Sequence, residues 1–209
     1  MARILITSGP TRQYLDPVRY LSNASSGRMG ACLATAAIER GHQVVIISGP
    51  VQVDYPDDAT VIRVTTTQEM RDAAMKQFPE CDGVIGAAAP CDFQPESLAS
   101  QKLKKQGTSI TLKLTETPDI LGSLGEIKQP HQWSVAFALE TENGTQNAVA
   151  KLNRKNCDLV VLNDPSAIEA QQTQIRILDA ASKILADVSD SKLVAAQAII
   201  QCLEKHVID

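Results

Sequence analysis

Aromatic residues are scarce in this sequence: one Trp, three Tyr and three Phe make up 3% of its 209 residues. A chain of this length can bury a core of its own, so that core must be built from aliphatic side chains. Long apolar runs are missing too, and none approaches the roughly 20 residues that a membrane-spanning helix needs. The sequence therefore predicts one globular domain over residues 1–209, with no role at a membrane.

An excess of basic residues is also lacking, since 20 Lys and Arg stand against 24 Asp and Glu, for a net charge of −4. Proteins that bind nucleic acid usually carry a basic face, so this balance argues against a nucleic-acid partner. The five cysteines are widely spaced without a Cys-x-x-Cys pair, and no secretory signal opens the chain. Reduced thiols and a cytoplasmic location are therefore expected. The three histidines are scattered, which argues against a zinc site.

Several familiar catalytic motifs are missing as well. The sequence has no Gly-x-Ser-x-Gly elbow, no Walker A loop and no His-Glu-x-x-His zinc motif. The Tyr-x-x-x-Lys pair of short-chain dehydrogenases is not formed, because Tyr14 and Tyr20 have Val18 and Ala24 four positions later. These absences argue against serine hydrolases, P-loop kinases and simple NAD-dependent reductases.

Short aliphatic runs alternate with helix-like segments along the chain. The aliphatic runs are continuous and do not alternate with polar residues, as residues 44–47 show. Such runs are typical of parallel strands that are covered on both faces. Strands are predicted over residues 3–8, 43–48, 61–64, 83–87, 109–114, 134–138 and 159–162, an antiparallel hairpin over 174–178 and 183–186, and helices over 27–40, 67–78, 119–124, 141–155 and 191–205, with Thr67 and Thr141 as N-caps. The pattern predicts a Rossmann-like three-layer α/β/α fold, with a mostly parallel sheet and an antiparallel hairpin near the C-terminus.

The first predicted strand and helix are joined by an unusually long connection. It has 18 residues, 9–26, where a dinucleotide-binding loop has about six. It leads into Ser25-Ser26-Gly27-Arg28-Met29-Gly30, where the free N–H groups of a helix start, two hydroxyls and an arginine would attract an anion. The same residues would also suit an ordinary serine helix cap, and the length of the loop favours the anion site.

Two later segments suit the same ligand. Ala88 and Ala89 follow a predicted strand and would let a ligand lie against backbone, with Asp92 near its ribose or a metal-bound phosphate, or as a plain turn residue. Lys102 and Lys105 end a weakly patterned segment, predicted as a mobile flap over residues 91–108. A basic flap can close over a triphosphate, although such charge runs are more often solvated faces.

Polar residues also follow later strands. Glu140 and Asn163 would lie at the same sheet edge as Asp92 if the sheet is parallel. Each is equally compatible with a helix cap or a turn.

Taken in order, these segments resemble phosphopantothenoylcysteine synthetase, the ligase of coenzyme A biosynthesis. The matching segments are Thr7-Ser8-Gly9-Pro10-Thr11-Arg12, Asp16-Pro17-Val18-Arg19-Tyr20-Leu21-Ser22-Asn23, Ser25-Ser26-Gly27-Arg28-Met29-Gly30, Ser48-Gly49-Pro50, Ala87-Ala88-Ala89 with Asp92, Lys102-Leu103-Lys104-Lys105, Thr117-Pro118-Asp119-Ile120, Phe137-Ala138-Leu139-Glu140-Thr141 and Asn163-Asp164. The match runs nearly from end to end, and the block from Asp16 to Gly30 is its most specific part.

The resemblance implies a two-step reaction without a protein nucleophile. The carboxylate of 4′-phosphopantothenate attacks the α-phosphate of CTP or ATP with the help of Mg²⁺, which gives an acyl-nucleotidylate and pyrophosphate. The amine of cysteine then displaces the nucleoside monophosphate. Such an enzyme must bind phosphates, neutralise charge and orient its reactants.

The resemblance also assigns roles to residues. Asn23 and Lys102 are the expected catalytic residues, Asn23 for the acyl intermediate and Lys102 for nucleotidyl transfer. Arg19 and Asn163 are expected to bind substrate with Asn23, and Asp92 to bind the metal ion. The residues expected around the nucleotide are Gly9, Ser25, Ser26, Gly27, Arg28, Met29, Ala88, Ala89, Asp92, Phe93, Lys102 and Lys105.

Family members are homodimers, and a homodimer is expected here. The flavin-binding decarboxylase half that accompanies many bacterial members has no counterpart in this sequence, so no FMN and a separate decarboxylase are expected. The sequence departs from the family at Ala24, where His is common, at Arg28, where Lys is usual, and over the shortened segment 165–173. Two other classes stand as alternatives: a non-catalytic nucleotide-binding protein, which the retained Asn23 and Lys102 argue against, and a Rossmann-type oxidoreductase, which the missing glycine loop argues against.

Overall fold

An eight-stranded sheet covered by helices on both faces forms the centre of the computed structural model, which describes residues 1–105, 107, 109–139, 143–163 and 172–208. The strands are β1 (Arg3–Ser8), β2 (Arg12–Tyr14), β3 (Tyr20–Ser22), β4 (Gln43–Ser48), β5 (Thr60–Arg63), β6 (Gly83–Gly86), β7 (Phe93–Pro95), β8 (Leu114–Glu116), β9 (Trp133–Leu139), β10 (Leu159–Asn163), β11 (Gln172–Asp179) and β12 (Ile184–Ser191). The helices are α1 (Arg28–Glu39), α2 (Thr67–Gln77), α3 (Ile120–Ile127), α4 (Gly144–Arg154) and α5 (Lys192–Leu203).

The strand order of the main sheet is β12-β11-β10-β9-β6-β1-β4-β5. The strands from β10 to β5 in this order run parallel, whereas β11 pairs antiparallel with both of its neighbours, β10 and β12. The predicted Rossmann-like fold with an antiparallel C-terminal hairpin is therefore confirmed. The chain leaves β1 towards β4 and later returns to β6 on its other side. Such a reversal opens a crevice at the carboxyl ends of the strands.

Aliphatic side chains fill both layers of the core, as the shortage of aromatics requires. Ile4 and Ile6 of β1 pack with α1 and α5 on one face of the sheet, and Leu5 packs with α2, α3 and α4 on the other. Successive side chains of a strand point to opposite faces, so a short run of β1 serves both layers. This packing fixes the strand ends that carry the loops described below.

The predicted strand over residues 109–114 is wrong. Residues 109–113 are exposed and have no regular structure, and the strand in this region is β8, which pairs antiparallel with β7 in a separate ribbon. The alternation of polar and apolar residues in 109–114 suggested a half-buried strand, but within the described residues the pairing with β7 begins only near Lys113 and Leu114. The long connection 9–26 likewise contains a short hairpin, β2 paired with β3, that the sequence did not predict.

Helix starts were harder to predict than helix bodies. The N-cap of α2 is Thr66 and not Thr67, because Thr66 accepts a hydrogen bond from the Glu69 N–H while the Glu69 side chain accepts from the Thr66 N–H. Three consecutive threonines, residues 65–67, made the register ambiguous. The predicted N-cap Thr141 of α4 lies outside the described residues, as does Glu140. None of the helices in the described residues is long and apolar enough to cross a membrane.

Candidate active site

Two adjoining clefts open at the carboxyl ends of the central strands. The first, which we call the loop cleft, has a volume of about 550 Å³ and is lined by residues 23–30, 87–90, 92, 137–139, 151, 163 and 192. The second, which we call the helix cleft, has a volume of about 350 Å³ and is lined by residues 7, 86, 88, 90, 92–93, 116–121, 124, 137, 151, 154 and 155. The clefts share Asp92 and Lys151, so one elongated ligand can occupy both.

The start of α1 forms one wall of the loop cleft. Gly27 stands at the N-cap position with φ of 76°, a left-handed conformation that favours glycine, and a Cβ there would lie 2.8 Å from Val51 Cγ1. Since glycine has no side chain, the ordinary serine cap considered for this segment is not formed. The first N–H groups of α1 have no partner within the helix. That of Arg28 donates to the Ser26 hydroxyl over 3.5 Å, and those of the next residues are available to a ligand in this cleft.

Close packing holds this helix start in place. A Cβ on Gly30 would lie 2.1 Å from Ser8 Oγ, so only glycine allows α1 to approach the end of β1 so closely. The Ser8 hydroxyl donates to the Gly27 carbonyl over 3.3 Å. Ser25 and Ser26 are half-buried beside the cleft, and Arg28 is exposed at its rim.

The side-chain amide of Asn23 is tied to the turn formed by residues 88–92. Asn23 Nδ2 donates to the carbonyl of Pro90 over 2.8 Å and to that of Ala89 over 3.4 Å. Both amide hydrogens are thereby directed to the turn, so the oxygen Oδ1 is the atom that can accept a hydrogen bond from a ligand. Asn23, which the sequence resemblance assigned to substrate binding, lines the loop cleft.

The 88–92 turn lies between the two clefts. Ala89 donates its N–H to the Gly9 carbonyl over 2.9 Å, and the two segments form a parallel β-bridge between Pro10 and Ala89. Gly9, expected at the nucleotide, supports the turn from behind and lines neither cleft. Asp92 is exposed and lines both clefts.

Cationic side chains from α4 and α5 complete the walls. Lys151 borders both clefts and donates to the Phe137 carbonyl over 2.7 Å, while Lys192 borders the loop cleft. Burial lowers the pKa of Lys192, with nearby Arg28 adding to the effect. Sequence reasoning missed both lysines, because each lies inside a predicted helix where a lysine signals only an exposed face.

The far wall of the helix cleft contains an ion pair. Lys155 Nζ lies 2.8 Å from Asp119 Oδ1, and Asp119 also caps α3 by accepting from the Gly122 N–H. Burial acts to raise the pKa of Asp119, but the bonds from Lys155 and Gly122 outweigh it and lower the pKa. Lys151 of α4 and Lys155, the residue that caps its C-terminus, are four residues apart. This spacing places both on one helix face and is the signal that marks this wall in the sequence.

The structure separates some predicted site residues from the clefts. Arg19, expected to bind substrate, forms an ion pair with Asp16 and donates from Nη2 to the Leu103 carbonyl over 2.5 Å. Lys102 and Lys105 line neither cleft. Arg19 is therefore placed against the predicted flap and away from the clefts.

Other predicted residues do meet there. The loop cleft brings together Asn23, Ser25, Ser26, Gly27, Arg28, Met29, Ala88, Ala89, Asp92 and Asn163, and Phe93 borders the helix cleft. Asn163 Oδ1 accepts a hydrogen bond from Thr173 over 3.2 Å. Among the described residues, no group of three His, Cys, Asp or Glu side chains is placed to hold a metal ion. Asp92 is the acidic residue that lines both clefts.

Comparison with known proteins places this site in a family context. A family model described as the DNA/pantothenate metabolism flavoprotein C-terminal domain matches residues 1–207. A protein named cysteine/cysteine sulfinic acid decarboxylase, from an unknown prokaryotic organism, is 42% identical over 87% of the chain. The coenzyme A biosynthesis bifunctional protein CoaBC of Bacillus subtilis (strain 168) is 45% identical over 78% of the chain.

A solved structure is similar over almost the whole chain. The crystal structure of the C-terminal domain of a coenzyme A biosynthesis bifunctional protein CoaBC superposes with a TM-score of 0.84 at 32% identity, covering 97% of this chain and 94% of that domain. The two full-length relatives are longer. This chain spans 52% of the prokaryotic decarboxylase and 40% of the Bacillus protein.

Proposed function

Since this chain belongs to the DNA/pantothenate metabolism flavoprotein C-terminal domain family, we propose that it joins 4′-phosphopantothenate to cysteine at the expense of a nucleoside triphosphate. One observation carries the proposal: the loop cleft brings the start of α1, the Asn23 amide and the 88–92 turn together at one sheet edge. These are the segments through which the sequence resembles phosphopantothenoylcysteine synthetase.

In the first step, a carboxylate oxygen of phosphopantothenate forms a bond to the α-phosphorus of the nucleotide, and the bond to pyrophosphate breaks. Both reactants are anions, so cations at the site must offset their repulsion. Lys151 lies where the two clefts meet, Lys192 and Arg28 border the loop cleft, and Lys155 borders the helix cleft. We place the nucleoside in the helix cleft, with the phosphates reaching past Lys151 towards the start of α1.

In the second step, the amine of cysteine forms the amide bond with the activated acyl carbon. The bond from that carbon to the nucleotide phosphate breaks, the nucleoside monophosphate leaves, and the amine loses a proton to solvent. Asn23 is oriented with Oδ1 as its free acceptor, because Nδ2 donates to the 88–92 turn. It can accept a hydrogen bond from the attacking amine and so orient it towards the acyl group.

We propose CTP as the nucleotide, with ATP as the alternative, and Mg²⁺ as its counter-ion. The exposed carboxylate of Asp92, which lines both clefts, suits Mg²⁺, which commonly keeps several waters and binds through one or two carboxylates and substrate phosphates. Bound in this way, the ion would supply charge neutralisation for the triphosphate.

We also propose a homodimer. The two-stranded ribbons β2–β3 and β7–β8 expose the apolar side chains of Val18, Tyr20, Phe93 and Leu114, and such a patch is typical of an interface. Light scattering on the purified chain checks this. We further propose that the chain acts in the cytoplasm, where its five cysteines stay as free thiols.

A pyrophosphate-release assay tests the ligase. Phosphopantothenate with CTP or ATP is expected to release pyrophosphate, and added cysteine should convert the intermediate to phosphopantothenoylcysteine and the nucleoside monophosphate. If pyrophosphate is released neither with CTP nor with ATP, the proposed ligase activity is contradicted. Nucleotide binding without turnover would favour a non-catalytic binding protein, and carbon dioxide from cysteine alone would favour the decarboxylase activity in one relative's name.

A further inference from the structure

A cluster of buried polar side chains lies behind the 88–92 turn. Thr11 and Thr67 are fully buried, and Gln13 is 5% exposed. None of these three described residues lines either cleft. Thr11 and Gln13 come from the start of the β2 region and Thr67 is the first residue of α2, so two distant parts of the chain meet at this point. Buried polar groups cost stability unless they are hydrogen-bonded.

The hydrogen bonds of this cluster have only one consistent direction. The Thr67 hydroxyl donates to the Cys91 carbonyl over 3.2 Å, which uses its single proton. In the 2.7 Å contact between the two threonine hydroxyls, Thr11 must therefore donate to Thr67. Gln13 Nε2 also donates to Thr67 over 2.8 Å, and the Cys91 N–H donates to Thr11 over 2.8 Å. Thr67 is thus the acceptor of two buried donors and the donor to the turn.

A third threonine holds the same peptide unit from another side. The Thr117 hydroxyl donates to the Cys91 carbonyl over 2.6 Å, and the Thr117 N–H donates to the Asp92 carbonyl over 2.9 Å. Both backbone polar groups of Cys91 are therefore fixed by side chains from three parts of the chain. The next residue, Asp92, lines both clefts, so its position depends on this support.

We propose that Thr67, supported by Thr11 and Gln13, is a positioning residue for the nucleotide: it fixes the backbone of the 88–92 turn so that Asp92 and the backbone of Ala88 and Ala89 are held ready for the ligand. A turn that is already ordered pays less conformational entropy on binding. The inference rests on the proposed function, because it takes a nucleotide as the ligand of this turn.

Thr67→Val tests this, because valine keeps the shape of threonine and removes the hydroxyl. The substitution leaves the Gln13 amide and the Thr11 hydroxyl without their acceptor. It also removes the hydrogen bond from Thr67 to the Cys91 carbonyl of the turn. We expect the Kd for CTP and ATP to rise by about tenfold, as loss of one buried hydrogen bond implies. Thr67→Ser restores the hydroxyl and should bind as the wild type does. Calorimetry measures the affinity, and hydrogen exchange at the Cys91 amide, which should accelerate in Thr67→Val, reports on the turn without ligand.

Thr35→Val is the matched control, since Thr35 loses only a bond to the Ala31 carbonyl within α1, outside the clefts. It should bind nucleotide as the wild type does. If Thr67→Val does not fold, as judged by thermal denaturation, Gln13→Met removes one donor to the cluster and should weaken binding in the same direction. Wild-type affinity in a folded Thr67→Val or Gln13→Met variant would overturn the inference alone, whereas a wild-type chain that binds neither nucleotide would overturn the proposed function and this inference together.

Discussion

At the scale of a single residue, the carbonyl oxygens of Ala89 and Pro90 set the orientation of the Asn23 side chain. Its amide nitrogen is within hydrogen-bonding distance of two carbonyl oxygens of the 88–92 turn, so a change that removes the nitrogen affects the turn as well as the substrate. A sequence motif names such a residue, but it does not say which of its two polar atoms faces the ligand. Here Nδ2 faces the turn, so Oδ1 is the atom available to a ligand.

Asn23→Asp is predicted to separate the two steps of the proposed reaction. The carboxylate places an oxygen opposite the carbonyls of Ala89 and Pro90, and the repulsion should displace the turn and raise the KM for the nucleotide. At saturating nucleotide, pyrophosphate release should persist, while formation of the amide should fall by about 10²-fold, because the displaced side chain no longer holds its acceptor oxygen where the amine binds. Quenched-flow assays of the two products measure this. Equal loss of both steps would contradict the assigned role.

At the scale of structural elements, the β2–β3 hairpin holds the segment predicted as a flap, residues 91–108, at one point. Asp16, at the tip of the β2–β3 hairpin, is fully buried and accepts hydrogen bonds from the backbone N–H groups of Val18, Arg19 and Leu103 as well as from the Arg19 guanidinium. Burial acts to raise the pKa of this carboxyl, but these donors outweigh it and hold the pKa well below its usual range. Because Leu103 follows Lys102, the hairpin tip fixes the chain directly beside the flap lysine.

Asp16→Asn is predicted to loosen this anchor. The amide removes the negative charge that pairs with Arg19 and replaces an acceptor oxygen by a donor, so hydrogen exchange at the Leu103 amide should accelerate. Pyrophosphate release should slow by about tenfold, on the scale of one lost charge-assisted bond, if Lys102 serves the first step. Asp57→Asn, at an exposed position, is the matched control. Unchanged exchange at Leu103 would show that Asp16 does not anchor the flap.

The chain termini are joined to the sheet at the scale of the whole molecule. Arg40, which ends α1, pairs with Glu204 in the last turn of the chain, and His42 Nε2 lies 3.0 Å from the same carboxylate. His42 Nδ1 accepts the Ala2 N–H over 3.1 Å, so the ring nitrogen Nε2 carries the proton and donates to Glu204. One side chain thus connects the start of β1, the end of α1 and the C-terminal turn.

Glu204→Gln is predicted to lower the melting temperature at pH 7 by about 1–4 °C, the range for a partly exposed ion pair in a chain of this size. Arg40 lowers the pKa of Glu204, and the hydrogen bond from His42 adds to this against the opposing effect of burial. The stabilisation is therefore present above the ordinary value of 4.5 and is lost as the pH falls through the lower folded-state pKa.

Calorimetric scans from pH 7 to pH 3 measure this prediction. The difference between the wild type and Glu204→Gln should shrink at the acidic end, where the protonated carboxyl resembles the amide. Glu126→Gln, at an exposed position on α3, controls for the general loss of a charge. A difference that grows towards acid pH would contradict the assignment.

The sequence by itself determined the fold class, several strand bounds and the family. The strands β1 and β4 were predicted to the residue, because continuous aliphatic runs depend on burial on both faces and leave little choice of register. The family followed from the residues between Asp16 and Gly30, and the match over residues 1–207 confirms it. Side chains that contact a ligand are constrained in type and spacing, so they form a motif that can be recognised in the sequence.

Only the tertiary structure decided how these segments meet. Local patterns could not place Arg19 against Leu103, 84 residues away, or show that Lys151 borders both clefts. Nor could they show that Thr66 caps α2 so that the adjacent Thr67 turns inwards to hold Cys91, 24 residues further on. Hydrophobic periodicity and cap signals act within one or two turns of the chain. The contacts that hold this site join residues far apart in sequence, and they form only when the packed sheet brings its strand ends together.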